Sequence, residues 1–151
     1  MNAERKEIEE KYRWRLEDIY AADADWERDF QTAKELVAAF SACAGTLTDG
    51  ADAIYGALRK HSAVWELVEK LYVYAHMRRD EDNGNAKYQG MTDRATQLMV
   101  AYSAAASFMT PEILAIDPAT LKKWMELPLL KNYRHGLENI DRARAHVLDE
   151  S

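Results

Sequence analysis

Between Met91 and Met109 the apolar residues Met91, Ala95, Leu98, Tyr102, Ala105 and Met109 recur at spacings of 4, 3, 4, 3 and 4. A backbone that turns every 3.6 residues places all six on one face, whereas a strand would scatter them over both. The pattern is that of a seam between close-packed antiparallel helices. The run Ala104-Ala105-Ala106 lets a neighbouring helix approach closely. Trp26, Phe30, Ala33, Val37 and Phe40 repeat the pattern at 4, 3, 4 and 3, and Ile54, Leu58, Trp65, Val68, Tyr72 and Ala75 share a third stripe. No alternating apolar-polar run of useful length competes with these. Only three prolines and six glycines interrupt 151 residues. The expected fold is all-α, an antiparallel bundle of long helices with two short helices near the C-terminal third.

Boundary residues divide the chain further. Residues 1–24 read as an N-terminal arm in which Trp14, Leu16, Ile19 and Tyr20 dock onto a helical domain spanning 25–151. Asp25 is an expected N-cap for the first long helix, and Gly45 a stop. The second helical region opens near Thr48 or Asp49. His61 lies on its apolar stripe, which suggests a break near His61-Ser62. The charged run from Arg78 to Asp82 and then Asn83-Gly84 ends that region, and Asn85 caps the third helix. Thr110-Pro111-Glu112 offers a cap, a proline at the first helical position and a first-turn acid, and Asp117-Pro118 repeats the arrangement. Pro128 breaks the second short helix. A last helix carries Leu130, Tyr133, Leu137, Ile140 and Val147 on one face.

Charge and cysteine usage narrow the function. A net charge of −6 argues against a nucleic-acid backbone as main partner. The lone Cys43 permits no intrachain disulfide, which fits a reducing compartment. Met1 is followed by a charged segment rather than an apolar signal, and no run approaches the ~18 consecutive apolar residues of a membrane span. The expected location is the cytoplasm, with no membrane partner.

The chain carries little that resembles a catalytic constellation. Its histidines are His61, His76, His135 and His146. No H-E-x-x-H occurs, no two histidines stand four apart, and no Glu stands three before any of them, so no metal or catalytic site is expected. The segment from Asp80 to Asn85 fails as a calcium loop, because glycine occupies the fifth position and Met91 the twelfth. His135 with Glu138, and His76 with Asp80, are spaced as helix-face pairs.

Four segments in order resemble the N-terminal region of the oligoendopeptidase F family of zinc metallopeptidases. The first runs from Arg5-x-Glu7-Ile8 through Lys11-Tyr12-x-Trp14-x-Leu16-x-Asp18-Ile19-Tyr20, with Trp26 beyond it. The second is Leu71-Tyr72-Val73-Tyr74-Ala75 followed by Asp80-Glu81-Asp82. The third is Ser107-Phe108-x-x-Pro111-Glu112-Ile113-Leu114. The fourth runs from Tyr133-Arg134-His135 through Leu137-Glu138-Asn139-Ile140 and Arg142 to His146-x-Leu148, where Asp149 replaces the serine usual in the family. The resemblance implies a hydrolase in which these helices wall a deep cleft that admits only short unfolded peptides. A downstream catalytic domain of the same polypeptide supplies H-E-x-x-H, a further Glu and the zinc. No zinc ligand of that kind falls within residues 1–151, so the chain alone is not expected to hydrolyse peptides. Tyr133, His135, Arg142 and His146 are the candidate domain-docking or cleft-lining residues. The rival reading is a stand-alone helical binding or homo-oligomerising module without activity. A weaker one is a non-peptidase enzyme using His135 or His146.

Overall fold

The computed structural model describes residues 8–146, and among them the regular structure is helical throughout. Six α-helices follow in order: α1 Asp23–Ser41, α2 Ala51–Glu81, α3 Ala86–Ala106, α4 Met109–Ala115, α5 Pro118–Met125 and α6 Arg134–Ala143. Short 3-10 turns at Leu16–Asp18, Leu47–Asp49, Pro128–Tyr133 and Arg144–His146 join or end them. Among the described residues two compact units form, one from those up to Val37 together with Ala63–Ser103, the other from Ala38–Ser62 together with those from Ala104 onward.

In the first unit the partner pairs give the topology. Trp26 of α1 donates its indole N–H to the Leu71 carbonyl of α2 at 2.9 Å, and Asp23 accepts from the Tyr74 hydroxyl at 2.8 Å. Residue numbers fall on α2 as they rise on α1, so these helices are antiparallel. Glu27 of α1 meets Arg94 of α3, while Asp23 meets Lys87, so α1 and α3 run parallel. The core is Trp26, Ala33, Val64, Val68, Leu71, Tyr74, Ala75, Met91, Ala95, Leu98 and Tyr102, with Leu16 and Tyr20 of the arm buried beside them. Thr92, the buried polar side chain among the described residues, donates its hydroxyl to the Ala75 carbonyl at 3.1 Å. This leaves no buried hydroxyl without a partner at that helix contact.

In the second unit Leu47, Ile54, Ala57, Ile113, Leu121, Leu130 and Leu137 are fully or almost fully buried. Phe108 packs on Phe40 with ring centroids 5.4 Å apart. The turn after α1 passes through Gly45 at φ +83°, the left-handed region where a side chain is costly.

Several boundaries differ from the sequence reading. α1 starts at Asp23, and Asp25 pairs with Arg28 in the first turn instead of capping it. α2 runs 31 residues without a break at His61-Ser62: the Ser62 hydroxyl bonds back to the Leu58 carbonyl within the helix, and His61 sits half-buried against Phe40. Its buried face comprises Ile54, Ala57, Val64, Val68, Leu71 and Ala75, so Trp65 is displaced from the stripe and stands 41% exposed against Tyr102. Thr110 is not a cap: α4 begins at Met109 and no side chain accepts from its first amides. Pro111 still falls in the first turn, where its missing N–H has no acceptor to lose. By contrast Asn85 caps α3 through the Lys87 amide at 3.1 Å, and Asp117 caps α5 through the Thr120 amide at 2.9 Å. The last face is divided between a 3-10 segment holding Leu130 and Tyr133 and the shorter α6. Val147 lies outside the described residues. By length and composition residues 86–115 suffice for a membrane span. Here they form two helices separated at Ser107-Phe108, and the first buries its seam inside the first unit.

Candidate functional site

The second unit contains a cavity of about 380 Å³. α2 contributes Leu58, His61 and Ser62 to its wall. Ala106, Met109 and Thr110 form a second side, and Asn132, Tyr133, Gly136, Leu137 and Ile140 a third. The lining holds no carboxylate, ammonium or guanidinium. His61 is half-buried, with its ring edge-on to Phe40 at 5.6 Å, and burial lowers its imidazole pKa, which favours the neutral ring. Tyr133 meets Tyr55 edge-on at 6.2 Å. The floor is thus apolar and neutral, and the rim offers hydroxyl, amide and imidazole groups. A cavity of this kind suits an uncharged ligand.

Of the candidate docking or cleft-lining residues Tyr133, His135, Arg142 and His146, Tyr133 lines this cavity. His135 is exposed and its ring Nε2 lies 3.2 Å from the Asn139 amide, while Glu138 pairs with Arg134 instead of with His135. Arg142 is exposed on α6. His146 ends the last 3-10 turn, and its side chain lies outside the described residues. His76 does not engage Asp80 either: its Nδ1 faces the Tyr72 carbonyl at 2.9 Å, its ring stacks on Tyr72, and Asp80 pairs with Arg79. Glu112 does more than its place in a first turn suggests. Its carboxylate accepts from the amides of Gly45 at 2.6 Å and Leu47 at 3.2 Å, more than sixty residues earlier. Spacing rules see only neighbours three or four apart, so nothing in the sequence pointed to this pair.

A charged cluster lies in the first unit around Asp23. Lys87 donates to it at 2.5 Å and Tyr74 at 2.8 Å, and Arg78 donates to the Tyr74 hydroxyl at 3.1 Å and to Glu17 at 3.1 Å. Burial by itself would raise the Asp23 carboxyl, but the bonds from Lys87 and Tyr74 together hold it below its ordinary value. Each polar group in this cluster faces a partner. It ties Glu17, α1, α2 and α3 together in the manner of a structural pin.

Among the described residues no group of three or more His, Cys, Asp or Glu side chains stands close enough to hold a metal. Fold and site together define an all-helical domain with a neutral, largely apolar cavity.

Comparison with known proteins supplies the family. A family description, Oligopeptidase F, matches residues 112–151. Oligopeptidase PepF of Bacillus subtilis is 42% identical over 148 residues, covering 97% of this chain and 22% of that protein. The plasmid-borne oligoendopeptidase F of Lactococcus lactis subsp. cremoris is 38% identical over 99% of this chain and 25% of its own length. The solved oligoendopeptidase-F from Enterococcus faecium superposes with a TM-score of 0.74 at 34% identity, over 83% of this chain and 24% of that one. The chain belongs to the oligoendopeptidase F family and corresponds to its N-terminal helical region. It spans about a quarter of the length of the curated relatives it matches.

Proposed function

We propose that this chain is the cleft-wall domain of a zinc-dependent oligopeptidase of the cytoplasm. It shapes the space in which short peptides lie, while the zinc ligands and the general base come from the catalytic domain of the same polypeptide. Alignment along nearly the whole chain with peptidases four times its length carries this reading. In this role the chain supplies restriction: walls that exclude folded proteins and a neutral pocket that accepts part of a peptide. A zinc-bound water would supply the hydrolytic chemistry elsewhere in the polypeptide.

Reconstitution tests it. The 151-residue chain is added to a relative from Bacillus subtilis that lacks its own matching quarter, and cleavage of a quenched fluorescent oligopeptide is followed with zinc present. Neither piece alone should match the rate of the mixture, and the mixture should discriminate against long or folded substrates. If the truncated relative is as active and as selective without the chain, the reading fails. The rival, a self-associating module, draws on the exposed apolar side chains Val100 (64%) and Trp65 (41%). It is favoured if the chain forms a stable dimer and leaves the truncated relative unaffected.

A further inference from the structure

We propose that the cavity beside Gly136 is a subsite for one large uncharged side chain of a bound oligopeptide. The inference rests on the peptidase reading and names what this part of the cleft wall accepts.

Size is the first argument. A volume of about 380 Å³ lies near the lower end of the roughly 300–1,000 Å³ common for small-ligand sites. It holds one large side chain with part of its backbone, not a whole peptide. Charge is the second. In a chain of net charge −6 with 30% charged residues, the cavity lining contains none. A charged side chain placed there would give up its hydration without gaining a counter-ion. The floor of Leu58, Met109, Leu137 and Ile140 instead returns dispersion and burial to an apolar one.

Gly136 is the wall position where a side chain can be added, an open setting it shares with Gly56 and Gly90. It stands in α6, where glycine is less favourable than alanine, and its φ is not positive, so the backbone does not demand it. A Cβ built there meets nothing within 4 Å, so packing within the chain does not demand it either. The missing side chain leaves open space on the cavity wall. At the rim, Asn132 and Thr110 are exposed and carry amide and hydroxyl groups that match a peptide main chain.

The test is a titration of the full 151-residue chain followed through its backbone amide NMR spectrum. The probes are N-acetyl-phenylalaninamide and, for comparison, N-acetyl-lysinamide and the singly charged N-acetyl-aspartic acid α-amide. The phenylalanine probe should saturate at millimolar concentration, with shifts centred on Gly136, Asn132 and Met109. The charged probes should leave those signals unmoved. Gly136→Leu fills the space with a better helix former and should weaken the phenylalanine probe by roughly tenfold or more while the rest of the spectrum is kept. Thr110→Leu, on the exposed rim, should weaken it as well and serves if Gly136→Leu does not fold. Three results overturn the proposal: no saturable shifts, equal binding of charged and apolar probes, or shifts that Gly136→Leu and Thr110→Leu leave in place. A change in self-association rather than in probe binding on Gly136→Leu also overturns it, because the cavity would then belong to a contact between copies. These outcomes are independent of the reconstitution, which can fail while binding persists, or succeed while the cavity stays empty.

Discussion

Replacing Glu112 by alanine should unfasten the turn after α1. The carboxylate accepts two backbone amides, from Gly45 at 2.6 Å and Leu47 at 3.2 Å. A hydrogen bond to a charged acceptor contributes about 1.5–3 kcal/mol when well shielded. Here Glu112 is half-buried and Gly45 is exposed, so water competes for both. A combined loss of about 2 kcal/mol for Glu112→Ala is the working figure after that discount. Glu112→Gln keeps one carbonyl oxygen and should lose about half as much. If Glu112 acted only as an acid in the first turn of α4, the loss would be about 0.3–1 kcal/mol. Urea unfolding separates the two: at a slope of about 2 kcal/mol per molar, the clamp shifts the midpoint by about 1 M. The melting temperature should fall by about 4–8 °C for a chain of this size. Amide exchange adds a local readout, since the Gly45 and Leu47 amides should lose protection in Glu112→Ala beyond what the global loss explains. A midpoint within experimental error of wild type, with those two amides unchanged, would refute the clamp.

Further predictions concern charge and capping. The Asp23 carboxyl titrates below its ordinary 3.8 in the folded chain. The unfolded chain therefore takes up that proton first, and the contribution is intact well above the ordinary carboxyl value and lost as pH falls through the lower folded one. Asp23→Asn should lower stability at neutral pH and flatten this acid limb in denaturation curves taken from pH 3 to pH 6; an unchanged limb would remove Asp23 from its cause. Thr110→Ala should change stability by less than about 0.5 kcal/mol, because its side chain caps nothing. Asp117→Ala, which removes the acceptor of the Thr120 amide, should lower the melting temperature measurably, and the reverse order would show that the two helix starts have been misassigned.

The sequence alone determined the all-α class, because helical periodicity is local information and the stripes of α1 and α3 repeat it without interruption. It also determined the caps at Asn85 and Asp117, where donor and acceptor lie two or three residues apart. The family was legible as well, since four short segments stand in the family's order. What it left open depends on residues that meet only after folding. The Thr110 cap was misplaced because a good capping residue signals a helix start only if the chain before it is not already turning, and here Phe108 and Met109 are. The break at His61 was inferred from an apolar stripe drawn through Trp65, but burial is decided by which face a partner covers, and that face runs through Val64 and Val68. Glu112 with Gly45, Asp23 with Lys87, and the neutral cavity that gathers Leu58, Met109 and Gly136 unite residues far apart in the chain. No periodicity encodes such pairs, because their geometry is set by how the helices pack and not by their spacing along the backbone.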